Sequence, residues 1–217
     1  MRRLHSSGVP DRRGEPPARL RPTFARRGRP RGNGCVTICP TRFRFPPPLP
    51  VRAARLHRRF RYHAWATARL AAALPDASAA VRPLAHALTA DRVWWLRLRG
   101  EPTEGVALWP ALDADGCRAL ARRNAEAWDA ALRPDGEPLG DDALDAPTDY
   151  ANSRGERFDT AVGDVLEHVL LHAAYHRGQA AAALRAEGVG PPATDFVVWL
   201  RLGEPDPPAP APPTDLP

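Results

Sequence analysis

His168, His172 and His176 recur at every fourth position in Asp164-Val-Leu-Glu-His-Val-Leu-Leu-His-Ala-Ala-Tyr-His-Arg-Gly-Gln179. The stretch is rich in Ala and Leu and has no Pro from Val162 through Gly190, which predicts a helix. A step of four advances ~40° beyond a full turn, so three imidazoles share one helix face. Two histidines at i and i+4 can hold one metal ion between them, at ~2.0–2.1 Å per nitrogen. A polar helix face with satisfied histidines is the plainer alternative for one such pair, and three in a row beside an apolar run favour a metal site.

A catalytic site of the zinc type takes three protein ligands and keeps one position open. One helix supplies two, so the third must come from another element. His86 is the candidate, because in Leu84-Ala-His-Ala-Leu-Thr-Ala90 an unpaired imidazole would be costly. His63, in Tyr62-His-Ala-Trp65, competes with it, but its Arg-rich approach makes an exposed position the expectation. His172 and His176 are the preferred pair. Gln179 lies three residues past His176 on the same face and can orient a ligand. Gly178 is expected to mark a close approach of a neighbouring backbone. Asp164, four residues before His168, is placed to orient that ring, and neither Asp164 nor Glu167 reaches the pair as a general base.

Four long helices must carry these residues. The first is predicted from about Ala53 to Leu74, stopped by Pro75. The second follows Asp76 or Ser78 as N-cap, holds Pro83 in its first turn and stops at Gly100. The third starts after Asp113 or Asp115 and ends near Pro134. A Pro/Gly/Asp-rich connection over 134–159 ends in a short hairpin turning at Asn152–Gly155, with Tyr150, Asn152 and Arg154 near the mouth of the site. The fourth helix, N-capped by Thr160, runs to Gly188 as its C′ residue. Pro191 to Leu200 then packs back as a short apolar segment. This reads as an all-α four-helix bundle with its site built from inward side chains.

The segments Tyr62-His-Ala-Trp-Ala-Thr-Ala-Arg-Leu70, His86-Ala-Leu-Thr-Ala-Asp-Arg-Val-Trp94, Tyr150-Ala-Asn-Ser-Arg-Gly155, His168-Val-Leu-Leu-His-Ala-Ala-Tyr-His-Arg-Gly-Gln179 and Pro191-Pro-Ala-Thr-Asp-Phe196 resemble the DinB-like (DinB/YfiT-type) family of bacterial four-helix metalloproteins. The resemblance covers roughly 53–203. It implies an up-down-down-up bundle, a divalent metal on three histidines, here His86, His172 and His176, and often a homodimer. His168 would sit one turn away, lining the site. Family members often carry a second His just before the last ligand, where this chain has Tyr175. The relatives include thiol-dependent transferases and isomerases, so the resemblance implies a small-molecule substrate and a low-molecular-weight thiol. Metal-dependent hydrolysis and a non-catalytic, metal-binding stress protein are the alternatives. Three imidazoles suit Zn or Ni, and also Fe or Cu.

Charge divides the chain. Residues 1–50 hold 12 Arg and 2 acidic residues, a balance of +10, while 51–217 hold 19 Arg and 23 acidic residues, a balance of −4. The bundle therefore offers no basic footprint for nucleic acid. Residues 1–50 are Arg/Pro/Gly-rich without periodicity, so disorder is expected. Met1 is the only Met and the amphipathic pattern starts abruptly after Pro50, so translation is expected to begin near Val51 from a valine-type start codon. A Pro-rich disordered tail is expected over 204–217. No stretch of about 18 apolar residues predicts a membrane span. Three cysteines, Cys35, Cys39 and Cys117, make no disulfide framework, which fits a reducing cytoplasm. The chain has no lysine.

Overall fold

The computed structural model describes residues 51–208, and the expectations for 1–50 and for 209–217 fall outside them. Four long helices dominate: α1 (Val51–Ala72), α2 (Val81–Leu98), α3 (Ala114–Leu132) and α5 (Val162–Ala186). Between α3 and α5 lie a 3-10 turn at Pro134–Gly136, a short helix α4 (Asp141–Asp145), and strands β1 (Pro147–Ala151) and β2 (Arg157–Ala161). A last short helix, α6 (Phe196–Arg201), closes the described part.

Contacts between the helices give their directions. On α1 and α3, His57 meets Asp129 while the Ala71 carbonyl meets Arg118, so these two run antiparallel. On α2 and α3, Val81 lies by Cys117 and Leu88 by Asn124, so these run parallel. Arg59 pairs with Glu167 and His63 with Arg177, so α1 and α5 are parallel. The result is an up-down-down-up bundle in which α1 packs on α3 and α5, and α2 packs on α3 and α5.

Two apolar clusters fill it. One joins Leu70, Leu84, Leu88, Cys117 and Leu184, and the other joins Phe60, Trp128, Leu132, Leu144, Leu166 and Val169. Burying each large side chain stabilises the fold by roughly 1.5–3 kcal/mol. On α5, Val165, Leu166, Val169, Leu170, Ala173, Ala180 and Leu184 trace the inward stripe at helical spacing.

Local chemistry sets the helix ends. Asp113 caps α3 by accepting from the Gly116 amide at 2.7 Å. α5 ends in a left-handed Gly188 (φ +78°), with Val189 N–H on the Leu184 carbonyl and Gly188 N–H on the Arg185 carbonyl, a Schellman closure. Two expected caps differ. Thr160 lies in β2 and Ala161 precedes α5 without a side-chain cap. At the start of α2 the N-cap position is Ala80, without a side-chain cap; Ser78 Oγ accepts from the Ala80 amide at 3.0 Å, and Glu187, just past the end of α5, accepts from the Ala79 amide at 2.7 Å and from the Ser78 hydroxyl at 2.6 Å. A tertiary partner adds to the local one there.

The hairpin turns at Asn152–Gly155 as expected, with Asn152 Oδ1 accepting from the Arg154 and Glu156 amides. The Val162 amide donates to the Ala146 carbonyl at 2.9 Å, which ties the hairpin to α5. Packing also runs past the expected boundary at 203: Glu204 pairs with Arg58, Asp206 with Arg61, and the Trp199 indole donates to the Pro205 carbonyl at 2.9 Å. No helix among the described residues is long and apolar enough to cross a membrane.

Candidate metal centre

α2 and α5 run antiparallel, so the beginning of one meets the end of the other. His86, in the second turn of α2, thereby faces His172 and His176 on α5. One nitrogen from each of the three lies within 4.8 Å of the others. The ring centroids are 5.2 Å apart for His86–His172 and 4.5 Å for both His86–His176 and His172–His176.

Two of the rings have their tautomer fixed. His86 Nδ1–H donates to the Leu108 carbonyl at 2.7 Å, and His176 Nδ1–H donates to Gln179 Oε1 at 2.7 Å. Nε2 is then the lone-pair nitrogen in each, the usual arrangement for an orienting partner behind a metal-ligating imidazole. Burial pushes the His172 pKa down to about 4, helped by repulsion from His176, His86 and His168. Burial also lowers the pKa of His176, against the opposing bond from Gln179. At neutral pH both rings present lone pairs rather than protons, which suits a cation. This donor set fits a divalent ion, and the group can hold one.

Trp109 lies in the loop between α2 and α3, just before Pro110. In the structure its indole stacks on His86 at 3.9 Å and 7°, with the Arg82 guanidinium 5.1 Å from the same ring. It remains 52% exposed, so it forms a wall of the site on the solvent side. The Leu108 carbonyl one residue earlier has no signature in side-chain patterns. The only available signal was a large aromatic ahead of a Pro, which favours an extended backbone.

His168 lies off the cluster. Its ring is 5.6 Å from His172 and 5.2 Å from Trp94, and Tyr150 stands 4.9 Å from Trp94. Glu167 pairs with Arg59 and is turned to α1. Among the described residues no bond joins Asp164 to His168. Asn152 and Arg154 serve the hairpin turn rather than the site. Gly178 marks no close approach, because a side chain there would meet nothing within 4 Å. The tight glycine of α5 is Gly163, where an added Cβ would stand 3.2 Å from the Leu144 carbonyl oxygen.

His63 is buried, against expectation, and belongs to a separate network. Its Nε2–H donates to Asp91 Oδ2 at 2.9 Å, while Arg177 donates to His63 Nδ1 at 2.8 Å and to Thr67 Oγ1 at 3.3 Å. Both nitrogens are occupied, so His63 does not compete for the ion. Arg177 follows His176 directly and points to the opposite side of α5. A cavity of about 520 Å³, lined by Phe60, His63, Asp91, Asn124 and Trp128 among others, opens on this α1–α3 side, and none of the clustered histidines lines it.

A family model described as the DinB family matches residues 55–206, which is most of the described bundle. No curated protein matches the chain.

Proposed function

The chain belongs to the DinB family, and from that premise we propose that it is a metal-dependent enzyme in which His86, His172 and His176 hold a divalent ion and the substrate chemistry is thiol transfer. The carrying observation is the convergence of the three imidazoles, with Nδ1 of His86 and His176 each committed to an oxygen. Zn or Ni is the proposed ion, with Fe and Cu suited by the same donors. A bound divalent ion would supply the Lewis acidity that lets a thiol lose its proton near neutral pH.

The chain's own residues do the rest. Leu108 and Gln179 hold two rings in register, so no orientation has to be found when the ion arrives. Trp109 covers one side of His86 and limits access of water. His168, Tyr150 and Trp94 form the opposite wall, where the remainder of a small-molecule substrate would lie. The family resemblance supports transfer to a small electrophile; the three imidazoles by themselves suit hydrolysis equally, since a divalent ion on such donors would also ionise bound water near neutral pH. Three protein donors also leave a position open, which favours catalysis over a purely structural ion, since structural sites are closed by four ligands. A homodimer in the cytoplasm completes the proposal.

The test is metal analysis of the purified protein beside His86→Ala, His172→Ala and His176→Ala. One equivalent in the wild type and loss in every variant is expected. Undiminished metal in all three would remove the reading. A screen of small thiols against electrophiles on the metal-loaded protein then separates transfer from hydrolysis.

A further inference from the structure

Beyond the three imidazoles, a row of neighbouring side chains leads to a cation that pairs with no carboxylate among the described residues. Arg97 lies eleven residues after His86 on α2, about three turns on and within ~20° of the same face. Its guanidinium carbon stands 4.6 Å from the Trp94 ring and 5.6 Å from the Tyr150 ring. Its Nε is buried without an acceptor, and among the described residues no carboxylate pairs with it. Burial lowers its pKa, with Tyr150 opposing. Arg99, two residues on, is different: it also lies over an indole, that of Trp95, but it is neutralised by Glu101 at 2.6 Å. Arg97 is thus a half-buried positive charge beside a pair of aromatic rings that touch each other. The ring of Trp94 touches His168, and His168 neighbours His172. An unbroken row of side chains runs from the metal cluster to this charge.

We infer that Arg97, beside Trp94 and Tyr150, is the anchor for a carboxylate on the molecule that reaches the three-histidine cluster. A guanidinium presents a planar fork of donors that matches a carboxylate in two parallel bonds, and desolvation by the two rings strengthens them. The Cα separation of His86 and Arg97 along α2 is ~16 Å at 1.5 Å per residue, and the guanidinium folds back over Trp94 toward the cluster. The substrate class is therefore an elongated thiol whose carboxylate lies on the order of 10 Å from its sulfur. This rests on the thiol reading proposed above.

The experiment is calorimetric titration of the full-length, zinc-loaded protein with mercaptooctanoate, its primary amide, and the sulfur-free pair octanoate and octanamide. The wild type is expected to bind mercaptooctanoate at least about tenfold tighter than the amide, since a charge-assisted bond contributes roughly 1.5–3 kcal/mol. Arg97→Gln is expected to equalise the two, and Arg97→Lys to keep part of the preference, with zinc content and melting temperature unchanged. A structural role for Arg97 would lower the melting temperature without touching the carboxylate preference. Equal affinities in the wild type, or a preference that survives Arg97→Gln, overturn the anchor and leave the thiol reading intact. If the thiols bind no better than their sulfur-free analogues, the thiol reading falls. The anchor is then decided by whether octanoate outbinds octanamide in the wild type and not in Arg97→Gln.

Discussion

Gln179 sets the tautomer of His176 from three residues away, through a 2.7 Å bond to Nδ1. Removing it leaves the imidazole present but free to rotate and to exchange its proton. Gln179→Ala is therefore expected to weaken metal binding about 10–100-fold with the helix content unchanged, as read by competition with a chromogenic chelator. His172 makes a prediction in pH. In the unfolded chain its imidazole titrates near 6.5, and in the folded chain near 4. Between those values the unfolded state takes up a proton that the folded state refuses, so stability falls as pH drops through that window and is flat above it. Chemical denaturation of the metal-free protein from pH 7.5 to 4.5 will show the decline, and His172→Asn will make it shallower. At this scale the sequence was informative where a side chain carries the role. The i, i+4 histidines and His86 in its apolar run could be read directly. The Leu108 carbonyl could not, because every residue has one. The indole stack on His86 was hidden for a related reason, as the course of the loop after Gly100 is set by packing and not by periodicity.

Helix boundaries followed local chemistry wherever the cap lies within the same few residues. Asp113 and Gly188 stand where their side-chain oxygen and left-handed backbone are required. The start of α2 followed it only in part, because Ser78 Oγ takes the Ala80 amide while the Ala79 amide goes to the Glu187 carboxylate more than a hundred positions downstream. Glu187 has two connected roles: it follows the last turn of α5 and anchors the Ala79 amide and the Ser78 hydroxyl ahead of α2, the same two helices that form the histidine cluster. Glu187→Ala is expected to cost about 1 kcal/mol in urea denaturation, a typical capping loss, with no change in metal content. Gly188→Ala is expected to cost about 1–2 kcal/mol by a different route, since an L side chain at φ +78° is strained.

The whole bundle is fastened by a buried polar network as well as by apolar clusters. Asp91 of α2, His63 and Thr67 of α1, and Arg177 of α5 meet where three helices converge, each almost fully buried. Among the described residues, Asp91 balances the Arg177 charge through the imidazole between them. Asp91→Ala is expected to destabilise the fold by about 3 kcal/mol, while Asp91→Asn, which keeps the acceptor for His63, costs less; thermal and urea unfolding will rank them. This network was not legible in the sequence, because its members are scattered over 114 positions and, apart from His63, which was weighed as a metal ligand, nothing in their spacing brings them together. The four-helix architecture was readable because apolar spacing repeats along every long helix. Their up-down-down-up order was available only by family resemblance, since spacing within one helix carries no information about the direction of the next.

The stack of Trp109 on His86 gives the molecule an optical gauge of its own. An indole in van der Waals contact with one of the three clustered imidazoles, and half open to solvent, will lose emission when a paramagnetic ion such as Ni(II) or Cu(II) settles beside it, whereas Zn(II) will leave it bright. Comparison with a Trp109→Phe chain isolates that signal from the other five indoles. Occupancy, exchange and displacement by small molecules can then be followed in real time on the unlabelled protein.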